Sequence, residues 1–269
     1  MIHLIQRFAL LLVAQSTLLA GCTQSAPPAN AESSLHPTEE PIMQPVVSTL
    51  DQTTLQAEKY SKEELLGKFE PSEHKDFSKI EATYSDKAGI YMRSEAYESF
   101  KKMHAAAKKE GVNLRIISAT RNFNYQKGIW EKKWLREKYH GWKEVDKVKD
   151  ILKYSSMPGT SRHHWGTDVD FNSVEQKYFA SGEGKKLYDW LVLHGSEYGF
   201  AQTYTSKSEG RTGYEEEKWH WSYMPIASEM LKEYNNRITY ADLTGFSGSA
   251  SAKEAQSIEL YVNGIANKK

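Results

Sequence analysis

The sequence predicts an α+β fold, on three observations. Apolar residues recur at helical spacing in several separate stretches, and short strand-like runs lie between them. The two kinds of segment do not alternate in the regular strand–helix–strand rhythm that marks a parallel sheet. At 269 residues the chain has room for one well-buried domain and further segments.

The first segment reads as a leader. Arg7 makes the start positive, an apolar run covers 8–13, and Leu18-Leu19-Ala20-Gly21-Cys22 ends it, the charged, apolar and small-residue parts of a secretory signal. Gln15, Ser16 and Thr17 interrupt the apolar stretch, which is too short for a good spanning helix. Cys22 is the only cysteine, so no disulfide forms within the chain. The Leu-x-Ala-Gly-Cys ending resembles a bacterial lipoprotein signal, and that resemblance implies lipidation of Cys22 after removal of the signal peptide, 1–22. The expected location is the cell envelope, held to a membrane by an N-terminal lipid. Thr23 is compatible with sorting to the outer membrane where the cell has one. Residues 23–58 are rich in Ser, Pro, Ala, Thr and Gln, a composition that buries too little apolar surface to fold alone and reads as a tether.

The main domain is expected over 59–239. Ser94 is placed to cap a helix over 94–110, with Tyr97, Phe100, Met103, His104 and Ala107 on one face and Gly111 as the stop. Residues 114–119 make a buried strand. Asn122 reads as the cap of a helix to about residue 139, and Val145, Val148, Ile151 and Leu152 mark a shorter one. Residues 185–198 have helical spacing ended by Gly199, and 219–223 alternate like a strand. The segment 240–269 is Gly/Ser/Ala-rich and then apolar, either a packed extension or a loose tail. Lys plus Arg equal Asp plus Glu at 35 each, which argues against a nucleic-acid binder.

Two segments carry chemistry. One is Pro158-Gly159-Thr160-Ser161-Arg162-His163-His164-Trp165-Gly166-Thr167-Asp168-Val169-Asp170; the other is Glu217-Lys218-Trp219-His220-Trp221-Ser222-Tyr223. Two histidines and a carboxylate from separate segments fill three positions of a tetrahedral zinc and leave the fourth open, the pattern of a catalytic site. Zinc acidifies water and polarises a carbonyl; a carboxylate that is not a ligand can take the proton, and Glu217, three residues before His220, is placed for it. His163 and Asp170 would lie roughly 23 Å apart in an extended chain, at about 3.3 Å per residue, so the chain must bend between them, and Gly166 is the natural place. Glu217 and His220 face opposite sides of a regular strand, so Glu217 must lie outside it or at a bulge. Asp168 shares strand parity with Asp170. It stands either as a partner that orients His163 or His220 or as the ligand in place of Asp170. His164 is the alternative to His163.

Ser161-x-His163-x-x-Gly166-x-x-x-Asp170 followed by Glu217-x-Trp219-His220-x-x-Tyr223 resembles the VanY-type D-alanyl-D-alanine carboxypeptidases, over roughly residues 90–226. These are zinc peptidases of the D,D-peptidase/hedgehog fold, a group that includes L,D-carboxypeptidases of peptidoglycan. The resemblance implies a small antiparallel sheet with flanking helices and a zinc site in a cleft. It implies His163, Asp170 and His220 as zinc ligands and Glu217 as general base. The family's Ser-x-x-Arg-x-x-x-x-Gln stretch is here Ser118-Ala119-Thr120-Arg121-Asn122-Phe123-Asn124-Tyr125-Gln126. It implies that Arg121 holds a substrate carboxylate, for which a guanidinium is suited, with Gln126 and Ser161 as further contacts.

Three departures bear on substrate preference. Arg162 stands where many members have Glu; His164 to Asp168 replace Gln-Thr-Gly-Leu-Ala; and Gly199-Phe200-Ala201-Gln202-Thr203-Tyr204 lacks the usual arginine before the tyrosine. The expected function is removal of the last residue, D-alanine by this resemblance, from a peptidoglycan stem peptide. A cross-link endopeptidase and a catalytically silent wall-binding lipoprotein are the alternatives.

Overall fold

A computed structural model describes residues 58–266. The expected signal peptide with Cys22, and the expected tether up to residue 57, lie outside the described residues.

The described chain opens with α1 (Lys62–Leu66), closed by a capping box in which the Ser61 hydroxyl accepts from the Glu64 N–H and the Glu64 carboxylate accepts from the Ser61 N–H. A two-stranded hairpin follows, β1 (Phe77–Lys79) and β2 (Tyr91–Arg93), then α2 (Ser94–Lys109), whose buried face carries Tyr97, Phe100, Met103, His104 and Ala107. Ser94 is the first helical residue rather than the cap. Arg93 holds the cap position without a side-chain bond, because the Ser94 hydroxyl is paired with that of Ser78 at 2.8 Å. The next strand, β3 (Ile116–Ser118), is shorter than the apolar run around it. The Arg115 N–H leaves the ladder to donate to Asn172 Oδ1, and the pairing shifts register between Ile116 and Ser118. Asn122 caps α3 (Phe123–Trp134), its Oδ1 accepting from the Tyr125 N–H at 2.8 Å. This helix stops short of 139 at exposed Leu135; Tyr139 enters the core from a separate 3-10 turn.

The remaining elements are α4 (Glu144–Leu152), β4 (Asp168–Phe171), α5 (Gly182–His194), β5 (Phe200–Gln202), β6 (His220–Tyr223) and α6 (Met224–Arg237). The four later strands form one antiparallel sheet in the order β3-β4-β6-β5. In its register Asp168 pairs with Ser222, Val169 with Trp221 and Asp170 with His220, while Ser118 lies opposite Asp170. Side chains alternate along a strand, so one face carries Ser118, Asp168, Asp170, His220 and Ser222. The other carries Val169, Phe171, Trp221 and Tyr223, which pack with Phe100, Leu187 and Leu191 of α2 and α5. One sheet therefore has an apolar face that anchors it and a polar face that carries the candidate site residues.

A second core lies among α1, α3, α4, α6 and the C-terminal segment. Leu65, Trp130, Val148, Met230 and Tyr234 share it with Leu243, Phe246, Ala252, Ala255 and Val262. The C-terminal segment is thus packed through residue 266. The Trp130 indole donates to Ser247 O at 2.8 Å, Arg211 donates to Thr212 O and Gly264 O, and the Ala266 N–H donates to Thr203 O.

Candidate metal centre

Two local turns bring the polar residues together. His163 sits in a 3-10 turn, Arg162–Trp165, that Gly166 ends in the left-handed region at φ 74. A Cβ at Gly166 would lie 2.3 Å from the Phe77 ring, so the position needs glycine on conformational and steric grounds alike. The reversal it makes delivers the chain into β4 and sets His163 beside Asp170. On the second segment, Glu217 precedes β6 by a tight turn in which the His220 N–H donates to Glu217 O at 3.3 Å. Glu217 is therefore off the regular strand and shares the side of His220, its Oε2 3.8 Å from His220 Nδ1.

His163, Asp170 and His220 are buried, and each offers one ligand atom such that all lie within 4.8 Å of one another. His163 Nδ1 donates to Ala119 O at 2.8 Å, leaving Nε2 to face Asp170 Oδ2 at 3.5 Å. His220 Nδ1 lies 3.1 Å from Asp170 Oδ1, while its Nε2 donates to Asp168 Oδ1 at 2.9 Å. Each imidazole thus has one nitrogen tied behind it and the other aimed at Asp170, the arrangement seen when a second partner fixes the tautomer of a metal-binding histidine. Two imidazoles and one carboxylate fit the donor set of a zinc site with an open position.

His164 and Asp168 are not part of this convergence. His164 is clamped between backbone groups, Nδ1 donating to Arg121 O at 2.6 Å and Nε2 accepting from the Gly159 N–H at 3.0 Å; burial lowers its pKa to about 4. Asp168 lies behind His220, where its two oxygens accept from His220, Arg162, Thr167 and Ser222. Arg121 reaches the site but is engaged there. Its Nη2 donates to Asp170 Oδ2 at 2.7 Å, and its Nε and Nη2 both donate to Ser118 Oγ. Ser161 lines the cavity, and its buried Oγ has no hydrogen-bond partner among the described residues. Gln126 does not line the cavity; it stands behind the wall, donating to Ser156 O at 2.8 Å.

The electrostatics separate the groups. Burial pushes Glu217 up to about 7, opposed by the nearby His220 charge and reinforced by Asp170. Burial would raise Asp170 as well, but His163, His220 and Arg121 outweigh it and hold its carboxyl well below the ordinary range. Burial, aided by the Arg121 charge, lowers His163. His220 goes the other way: burial alone would lower it, yet Asp168 and Asp170 raise it to about 9.

These residues open on a cavity of about 620 Å³. Sequence reasoning missed two of its features. Tyr204 packs its ring 4.6 Å from that of His220. Tyr125, Ile129 and Lys133 form one wall; their i, i+4, i+8 spacing on α3 was the readable signal. Burial lowers Lys133 to about 8.

The sequence model of the family described as VanY, D-alanyl-D-alanine carboxypeptidase, matches residues 89–226, about half of the chain. The chain is 30% identical to YodJ of Bacillus subtilis over 167 residues, 60% of this chain and 56% of that protein. It is 28% identical to a D-alanyl-D-alanine carboxypeptidase of Enterococcus faecalis over 121 residues, 45% of this chain and 44% of that protein. It thus spans about half the length of the curated relatives it matches. Among solved structures it is similar to a vancomycin-resistance D,D-pentapeptidase VanY mutant in complex with Zn(II), at 23% identity and a TM-score of 0.45, covering 59% of this chain and 83% of that one.

Proposed function

The chain belongs to the VanY family of D-alanyl-D-alanine carboxypeptidases, and from that premise we propose that it is a zinc-dependent carboxypeptidase that removes the C-terminal D-amino acid, D-alanine in the first instance, from peptidoglycan stem peptides. The observation that supports it most is the convergence of His163, Asp170 and His220 on a cavity whose wall also holds Glu217 and Arg121.

In this reading His163 Nε2, one Asp170 oxygen and His220 Nδ1 hold the ion. Zinc so held supplies Lewis-acid chemistry, polarising the scissile carbonyl and acidifying water. Glu217 accepts the proton of the attacking water and passes it to the leaving nitrogen. Burial, which pushes its carboxyl upward in the metal-free protein, favours proton uptake. Arg121 pairs with the substrate's terminal carboxylate and so selects a free C-terminus. Ser161, whose Oγ lacks a partner at the cavity wall, adds a polar contact, and Gln126 acts through the Ser156 backbone it holds. Tether and anchor belong to the same proposal: Cys22, the one cysteine, carries the lipid that holds the enzyme at the envelope, which Cys22→Ala and metabolic labelling with a fatty acid test directly.

The decisive experiment incubates the soluble domain with defined tetrapeptide and pentapeptide stems, with and without chelator, and weighs the products. Loss of one C-terminal residue, abolished by chelator and restored by zinc, is the expected result; it also reports D,D against L,D preference. Cleavage confined to cross-linked dimers makes the protein an endopeptidase, and binding without cleavage makes it a silent wall binder.

A further inference from the structure

Two of the departures from the family pattern, Arg162 and Asp168, touch each other. Arg162 Nε donates to Asp168 Oδ1 at 3.0 Å, with both side chains at most 1% exposed. Arg162 Nη2 donates to Ser222 Oγ at 2.7 Å, and Ser222 Oγ in turn donates to Asp168 Oδ2 at 3.0 Å. Thr167 Oγ1 donates to the same oxygen at 2.6 Å. The guanidinium lies over the Trp165 ring at 4.7 Å. Asp168 therefore accepts three hydrogen bonds from neighbours that cannot move freely, and its fourth is from His220 Nε2 at 2.9 Å. The sheet register adds a backbone constraint, since Asp168 pairs with Ser222 two residues along the ladder from the Asp170–His220 pair.

We propose that Arg162, Thr167 and Ser222 lock Asp168 as the positioning residue of the metal centre, holding the His220 ring with Nε2–H turned away and Nδ1 presented to the ion. The proposal rests on the zinc reading above and deepens it. A carboxylate behind a metal-bound histidine orients the ring and strengthens its donor nitrogen; loss of such a partner costs about 10–100-fold in metal affinity. The arginine also lines the cavity, but its Nε and Nη2 are committed to Asp168 and Ser222. It keeps a buried carboxylate ionised and fixed, since an unpaired buried charge is strongly unfavourable. The acid thus brings in the base, and the two departures are one device.

The test measures zinc affinity by chelator competition on the intact domain, together with the ring-nitrogen NMR signals of His220 in the zinc-loaded state. Asp168→Asn is expected to weaken zinc binding about 10–100-fold and to expose the His220 Nε2 proton to rapid exchange with water. Because Asp168→Asn strands the Arg162 charge, the double variant Arg162→Gln with Asp168→Asn removes both charges at once. If Asp168 serves only to neutralise Arg162, the double variant recovers wild-type zinc affinity and the proposal is overturned; if it positions His220, the deficit and the exchange signature persist. Ser222→Ala, which loosens Asp168 without removing it, is expected to give a smaller loss in the same direction. A loss in Asp168→Asn as complete as that in Asp170→Asn would make Asp168 a ligand and also overturn the proposal. Wild-type protein that binds zinc, with Asp168→Asn binding it equally well, sinks the positioning role alone; wild-type protein that binds none sinks the metal reading itself.

Discussion

Arg121 Nη2 donates to Asp170 Oδ2 at 2.7 Å, so the arginine assigned to a substrate carboxylate is paired, in this structure, with the carboxylate assigned to the metal. In the proposed function, a cation on Asp170 would draw on the same oxygens and weaken that pair, freeing guanidinium donors for the substrate, so that metal and substrate sites would be coupled through one side chain. Arg121→Ala is expected to lower kcat/KM on peptides with a free C-terminus by about 10–100-fold, the equivalent of one charge-assisted hydrogen-bonded contact. It should abolish discrimination against C-terminally amidated peptides. Arg121→Lys keeps the charge but loses the fork and should recover only part. Steady-state kinetics on matched acid and amide substrates checks this.

Glu217 is expected to be needed for cleavage and not for metal binding. Glu217→Gln keeps size and polarity but cannot carry the proton, and should cut turnover by about 10²–10⁴-fold. Zinc content after gel filtration should remain stoichiometric. A Gln variant with full turnover would remove Glu217 from the mechanism.

Stability of the metal-free protein is expected to fall as pH rises from neutrality. His220 is raised from 6.5 to about 9 on folding by its two carboxylates. Its contribution is fully present below pH 6.5 and is lost as pH climbs through about 9. Glu217 acts in the same direction at lower pH: raised from 4.5 to about 7, it holds a proton that the unfolded chain has released, so stability declines across that interval. Lys133, lowered from 10.5 to about 8 on folding, adds stability as pH rises beyond 8 and opposes the His220 loss there, so melting curves in chelator at pH 6 and pH 8 should show the drop. Zinc, which replaces the His220 proton, should give a larger gain in Tm at the higher pH.

Gly166 and Gly141 allow a paired test of the turn before β4. Both have positive φ, but a Cβ at Gly141 meets nothing within 4 Å, whereas one at Gly166 would lie 2.3 Å from the Phe77 ring. Gly141→Ala should cost about 1–2 kcal/mol, the backbone term alone. Gly166→Ala should cost more and should also weaken zinc binding, because that turn sets His163 against Asp170. Urea denaturation and chelator competition read the two effects separately.

The C-terminal segment is expected to be indispensable to the fold. Ending the chain after residue 239 strips Leu243, Phe246, Ala252, Ala255 and Val262 from the second core and leaves the Trp130 indole without its Ser247 acceptor. Each large buried apolar side chain contributes roughly 1.5–3 kcal/mol, so several together match the usual stability of a domain. The truncated protein should lack a cooperative unfolding transition by circular dichroism.

Much of the site was legible because its logic is local. The bend at Gly166, the placement of Glu217 off the strand and the shared parity of Asp168 and Asp170 follow from chain geometry, and the structure has each of them. What parity does not reveal is depth along the strand. Asp168 and Asp170 face the same side, and only the pairing of Asp168 with Ser222 and of Asp170 with His220 shows which one lies behind the imidazole. Gln126 was misplaced for a similar reason: a helix position tells the face, not whether a loop such as that at Ser156 stands between it and the cavity. Elements went unread where the signal was a cap rather than a period. The Ser61–Glu64 box announces α1, which is only five residues long, and Pro225 at the start of α6 marks a helix entry, followed by the buried Ala227, Met230 and Tyr234 at helical spacing. The break after Trp134 has no glycine or proline to announce it, and beyond it Tyr139 packs into the second core.

Strand β6 writes two messages on alternate residues. His220 and Ser222 face the polar site, while Trp221 and Tyr223 fill the core beneath the sheet, and β4 does the same with Asp168 and Asp170 against Val169 and Phe171. Inserting or deleting a single residue in either strand would move histidine or aspartate into the hydrocarbon interior and tryptophan or phenylalanine into the cavity. Divergence of this candidate site is therefore confined to replacement in place, with length variation relegated to the connections, and a designer who wishes to alter the pocket by grafting must keep the reading frame of both strands.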